Sequence, residues 1–312
     1  MKLVVFGDQR RLGALVSGRV LDLAAADSSE PAFRSLQALI ESGQCGLDAV
    51  SELTEKYAGS DAPQIWHALD QIELQAPWPG QRFLLAGSNH AKHIAEAFTH
   101  LGDPLSVEEA HARGRAAVPS SFWSLSRPMG PGADIRIPTR ANGFFDYEGE
   151  PAIILGKQGK DIKADDIADY VWGVTLVADW SIRIPEWPPR PNPPFMPVKN
   201  FDNSKSIGPC IVVGEIDPQN FDVETIVNGV LKQKFSSSEM IYSFGEILEF
   251  FSRDFTFYPG DVIAGGTGSG TVVDQIKINP DGSWPKDVFL KPGDIVEIRS
   301  DAIGTLVSHI VD

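Results

Sequence analysis

Cysteine is nearly absent: Cys45 and Cys210 are the only two in 312 residues. Such a pair has neither the spacing of a metal-binding motif nor the density of a disulfide scaffold, so the expectation is a reducing, cytoplasmic setting without a structural disulfide. Basic charge is scarce too. Lys and Arg number 27 against 42 Asp and Glu, a net charge of −15 with no basic run to offset it, which argues against nucleic acid as a partner. Long apolar runs are missing: none approaches the ~20 residues of a membrane span, and the first, Leu3–Phe6, is broken at Asp8, too early for a signal-peptide core. What the chain has instead is a globular share of hydrophobic (42%) and charged (22%) residues, with 29 Gly and 23 Pro marking a turn-rich, β-dominated fold.

Short apolar runs at Lys2–Phe6, Gly13–Val16 and Val20–Leu23 predict a small strand meander. Residues 33–75 read as helical, with Leu36, Leu39 and Ile40 at helical spacing, and the turn-forming Ala76-Pro77-Trp78-Pro79-Gly80 closes that unit. A boundary there gives a small N-terminal domain, 1–75, and a larger one, 76–312. In the larger part, Phe83–Ala86 is a buried run, and a helix starts at Ser88 or Asn89 and carries residues 91–101. Strands are expected at Ala152–Leu155, Val171–Ala178, Ile211–Val213, Val262–Ala264 and Ile295–Ile298. Asn228-Gly229 predicts a two-residue hairpin and Ser243-x-x-Glu246 a capping box.

Three clusters could carry chemistry. In Asp146-Tyr147-Glu148-Gly149-Glu150 the two glutamates share a face if both lie on the strand, about 7 Å apart by strand rise. A divalent cation would relieve their repulsion, although the spacing alone also fits an exposed acidic strand start. Asp179 ends an apolar run four residues before Arg183 and fits either an ion pair or a third oxygen ligand for Mg²⁺ or Mn²⁺. His93 and Glu96, at i and i+3, share one helix face, where the carboxylate can orient the imidazole as a base; such pairs are also common on solvated surfaces.

Taken in order, Gly87-x-Asn89-x-x-x-His93-x-x-Glu96, Asp146-Tyr147-Glu148-x-Glu150, Asp179-x-Ser181-x-Arg183, Lys199-x-Phe201-Asp202, Gly208-Pro209, Asn228-Gly229-x-x-x-Gln233 and Pro259-Gly260-Asp261-x-Ile263-x-x-Gly266-Thr267 resemble the fumarylacetoacetate hydrolase (FAH) family over nearly the whole chain. The resemblance implies an α+β fold, a mixed β-sandwich roll with a small N-terminal α+β domain, usually assembled as a homodimer. It also implies Mg²⁺ or Mn²⁺ held by Glu148, Glu150 and Asp179, a water-activating dyad of His93 and Glu96, and Lys199 facing the developing negative charge. Arg183, Gln233, Gly266 and Thr267 match positions that contact a small anionic substrate.

On that resemblance the expected activity is metal-dependent hydrolytic cleavage of a carbon–carbon bond in a 2-oxo or 1,3-dioxo acid, an acylpyruvate or fumarylpyruvate-like compound of aromatic catabolism. Decarboxylation, isomerisation or dehydration on the same site is the alternative, and a catalytically silent ligand-binding relative is the alternative from another class. The chain departs from the family pattern at His90 (often Tyr), Ser124 (often Lys) and Ile184 (often Asp). The Pro-dense segment Pro185–Pro197, with Trp187, is expected to form either a stiff lid over the pocket or a rigid connector.

Overall fold

The computed structural model describes residues 1–60, 62–100, 104–185 and 195–312. Most of the Pro185–Pro197 segment, Trp187 included, lies outside the described residues.

An eleven-stranded sheet forms the spine. Its order runs Trp66–Ala68, Arg19–Asp22, Arg11–Val16, Lys2–Phe6, Lys205–Val212, Val171–Asp179, Gly149–Leu155, Val262–Ala264, Phe83–Gly87 and Ser120–Trp123, and Leu74–Gln75 pairs beside Lys2–Phe6. A five-stranded sheet, ordered Val230–Ser236, Asp222–Val227, Ile295–Ser300, Gly304–Val311 and Ala133–Arg136, packs against its middle. A two-stranded pair joins Phe145–Asp146 to Ser181–Ile182. The fold is mixed α+β with several sheets.

Strand Gly149–Leu155 is buried at every position because the large sheet is covered on both faces. Ile153 and Leu155 join a core shared with Val223, Ile298 and Leu306 of the second sheet. Ala152 and Ile154 point the other way, into a core shared with Leu3, Leu36 and Val50. Each fully buried aliphatic side chain of this kind contributes about 1.5–3 kcal/mol, so the strand carrying Glu150 has a rigid foundation.

The expected N-terminal meander is present, and its first strand pairs Lys2 with Val212 and Leu3 with Ile211, so the sheet runs on across residue 75. The helical expectation for residues 33–75 holds only in part. Helices Leu36–Glu41 and Gly43–Lys56 form, but Trp66–Ala68 and Leu74–Gln75 are strands, because tertiary pairing with Arg19–Asp22 and Lys2–Phe6 overrides local pattern there. The five strands expected in the larger part all form, and the hairpin at Asn228-Gly229 has both turn residues at positive φ, +50° and +77°. The capping box at Ser243 and Glu246 opens helix Phe244–Phe251. Cys45 and Cys210 are both free thiols. Among the described residues no helix is long and apolar enough to cross a membrane.

Candidate active site and metal centre

The centre forms where Gly149–Leu155 and Val171–Asp179 lie side by side. Gly149 is registered against Ala178, so Glu148 and Glu150 flank the end of the strand that Asp179 terminates. Glu148 lies just ahead of the strand, its carbonyl accepting from the Asp179 amide at 2.9 Å. All three carboxylates are buried, and one oxygen from each lies within 4.8 Å of the others.

Gly149 explains how two glutamates can be held so closely. Its amide donates to Gln233 Oε1 at 3.0 Å and its carbonyl accepts from Thr267 Oγ1 at 2.9 Å. A Cβ at this position would meet Thr225 Oγ1 at 2.3 Å, so only glycine lets the brace approach. Gln233 Oε1 also accepts from Thr225 Oγ1, and its Nε2 donates to Thr267 Oγ1 and Gly268 O. Its four hydrogen-bonding positions are thus used within the protein. Gln233 and Thr267, expected at substrate-contacting positions, both brace the Glu-Gly-Glu segment. Gly266, at φ +88°, donates its amide to Glu150 Oε2 at 3.2 Å and so serves a ligand position as well.

Cations line the other side. Lys199 Nζ donates to Glu148 Oε2 (2.5 Å), Asp179 Oδ2 (2.8 Å) and Ser181 Oγ (2.6 Å). Arg183 donates from Nη2 to Glu148 Oε1 (2.7 Å) and from Nε to Asp146 Oδ2 (2.9 Å). Burial alone would raise the Glu148 carboxyl, but Lys199 and Arg183 hold it well below the usual carboxylate range. Glu150 goes the opposite way: burial, then the charges of Asp179 and Glu148, push it well above that range. Two neighbouring carboxyls driven apart mark a surplus of negative charge. A buried, all-oxygen donor set with such a surplus fits a hard divalent cation, and Glu148, Glu150 and Asp179 are the residues that would hold Mg²⁺ or Mn²⁺.

His93 stands on helix Ala91–His100, and its partner is a surprise. Nδ1 lies 2.9 Å from Asp274 Oδ2 and 2.8 Å from Oδ1, whereas Glu96 accepts from Ser269 Oγ at 2.5 Å. The carboxylate against His93 is therefore Asp274, which the sequence reading did not name, while Glu96 lies one helical turn away. Burial by itself would lower the imidazole, but the Asp274 charge outweighs it and raises His93 above its ordinary value. Asp274 is fixed by amides of Gly270 (2.9 Å) and Thr271 (3.0 Å). The signal for it was present in the sequence: Thr271-x-x-Asp274 is a capping box like Ser243-x-x-Glu246, and it opens the short helix Val272–Gln275. Asp146 ties that helix to the centre, accepting from the Val272 and Val273 amides while it holds Arg183.

The departures have local consequences. His90 is buried edge-on to Phe235, with centroids 4.9 Å apart, and burial drives its pKa down to about 3, so the ring is neutral. Ser124 Oγ donates to Ser126 O at 3.2 Å. Ile184 is half-buried and packs against the inter-sheet core.

Comparison with known proteins places the chain among its relatives. The chain is 28% identical over 334 residues to a fumarylacetoacetate hydrolase domain-containing protein 2 homolog of Dictyostelium discoideum, covering 99% of this chain and 97% of that one. It is 30% identical over 302 residues to the oxaloacetate tautomerase YisK of Bacillus subtilis, covering 94% and 93%. The maleylpyruvate hydrolase of Sphingobium sp. SYK-6, solved with manganese(II) and pyruvate, shares the fold at a TM-score of 0.70 and 22% identity, covering 100% and 99%. Residues 82–311 match the family model for the C-terminal domain of fumarylacetoacetate (FAA) hydrolase, and with that match the chain belongs to the FAH family.

Proposed function

We propose that the protein is a divalent-metal-dependent enzyme that hydrolyses the carbon–carbon bond between C3 and C4 of an acylpyruvate-type 2-oxo acid, releasing pyruvate and a carboxylic acid. The observation that carries this reading is the pair of half-buried His93 and buried Asp274 beside a three-carboxylate centre: with Nδ1 engaged by Asp274, Nε2 is the nitrogen left to exchange a proton with water. A cation bound by Glu148, Glu150 and Asp179 would supply positive charge for the 2-oxo and carboxylate oxygens of the substrate. Manganese and pyruvate in the Sphingobium hydrolase support that ligand pairing.

The chain's own groups then have these roles. His93 takes a proton from water as the oxygen adds to the C4 carbonyl, and Asp274 stabilises the imidazolium that results. The C3–C4 bond breaks with its electron pair passing to the pyruvate fragment, and His93 returns the proton at C3. Lys199 and Arg183 offset the net charge of −15 locally, so that an anion can enter. The reading includes a homodimer acting in the cytoplasm.

A second reading is keto–enol tautomerisation of oxaloacetate, favoured by the likeness to YisK over nearly the full length. It uses the same acid–base group at C3 without adding water. Incubating the Mn²⁺-loaded enzyme with acetylpyruvate, fumarylpyruvate and enol-oxaloacetate separates the two. Pyruvate formed in step with acid establishes the hydrolase. Loss of enol absorbance without cleavage establishes the tautomerase, and inactivity on all three leaves a ligand-binding relative.

A further inference from the structure

One buried cation has no part in the chemistry above. Lys205, first residue of strand Lys205–Val212, is fully buried: its ammonium donates to Lys199 O at 2.5 Å, Ser204 O at 3.0 Å and Ser204 Oγ at 3.3 Å and forms an ion pair with Asp179 Oδ1 at 2.8 Å, with the Phe122 ring 5.6 Å away. Asp179 therefore meets a different lysine at each oxygen. Oδ2 shares Lys199 Nζ with Glu148 Oε2, while Oδ1 accepts no hydrogen bond among the described residues and lies 2.8 Å from the Lys205 ammonium as an ion pair.

Burying a second ammonium here is costly, and a neutral side chain would fill the space without that cost. A bridge to Asp179 Oδ1 and Lys199 O does something a neutral residue would not: it fixes one oxygen of a ligand carboxylate and the backbone of the neighbouring lysine at once. Groups that contact a metal ligand from behind set its orientation and basicity. A carboxylate partner there strengthens the ligand, whereas a cation withdraws charge from it.

We propose that Lys205 is a positioning residue whose ion pair with Asp179 Oδ1 holds that carboxylate and draws charge from it, so that Asp179 binds a divalent cation less tightly. A less neutralised cation keeps more positive charge for the substrate oxygens. The inference rests on the metal reading of the carboxylate cluster and adds a residue that neither the family motifs nor the sequence singled out.

The test is Mn²⁺ binding by the apoenzyme, with free ion counted and bound ion characterised by electron paramagnetic resonance. Lys205→Met should bind Mn²⁺ about ten-fold more tightly, because a charge that repels the ion and draws on Asp179 is gone. Its bound-ion spectrum should differ from wild type, and the rise in melting temperature on adding Mn²⁺ should grow. Lys205→Gln, which keeps a polar contact to Lys199 O, should move affinity and spectrum in the same direction and serves if the methionine variant folds poorly. In an Asp179→Asn background Lys205→Met should change affinity less than two-fold, since the effect runs through that carboxylate. Equal or weaker Mn²⁺ binding with a wild-type spectrum, or full additivity with Asp179→Asn, overturns the role and leaves Lys205 a core tie. Wild-type protein that binds no Mn²⁺ overturns the metal centre itself, a separate and distinguishable failure.

Discussion

His93 and Asp274 are 181 positions apart in the chain, yet the imidazole Nδ1 lies 2.8 Å from the Asp274 carboxylate. Helix Ala91–His100 packs against the short helix Val272–Gln275, and that contact assembles the acid–base pair. Glu96, one helical turn from His93, is occupied with Ser269 instead.

The pairing predicts a pH profile. Because Asp274 raises His93 above its ordinary value of about 6.5, kcat/KM should climb with pH through a midpoint above that figure as the base becomes neutral. Asp274→Asn removes the charge that outweighs burial, so the midpoint should fall while turnover drops by roughly 10²-fold or more. Stability runs the other way: the pair's contribution is complete below the unfolded pKa and lost as pH rises through the folded one. A profile that Asp274→Asn leaves in place, or an equal shift from Glu96→Gln, would return the dyad to Glu96.

Metal-linked stability checks the carboxylate centre. Wild-type protein should melt higher in millimolar Mg²⁺ or Mn²⁺, since an ion bound only by the folded state adds about 2.7 kcal/mol at a hundred times its dissociation constant. Asp179→Ala and Glu150→Gln should abolish that shift. In metal-free buffer Glu150→Gln should melt close to wild type, because burial beside Asp179 and Glu148 already favours an uncharged group at this position. Calorimetry with and without the ion decides the matter.

Gln233 should prove to be a brace. Gln233→Leu leaves the Gly149 amide, Thr225 and Thr267 without their shared partner, and should cost about 2–4 kcal/mol by denaturant unfolding. If Gln233 were an open substrate contact, the variant would keep its stability and raise KM alone.

Local rules already determined a good deal. Alternation and turn chemistry located the strands around Gly149–Leu155 and Val171–Asp179, the Asn228-Gly229 hairpin and the Ser243 cap, because each depends on residues within one or two turns of chain. The acidic triad was legible for a similar reason. Glu148 precedes and Glu150 lies on strand Gly149–Leu155, and Asp179 ends strand Val171–Asp179, with which it pairs antiparallel. Tertiary structure decided the rest. Residues 66–68 and 74–75 became strands because distant partners offered hydrogen bonds. His93 exchanged a partner one turn away for one across the fold, Gln233 turned inward to grip a glycine, and Lys205 found Asp179. Each of these depends on what packing brings within 3 Å, and burial makes an unpaired charge or amide too costly to leave, so long-range pairing overrides the nearest neighbour in sequence.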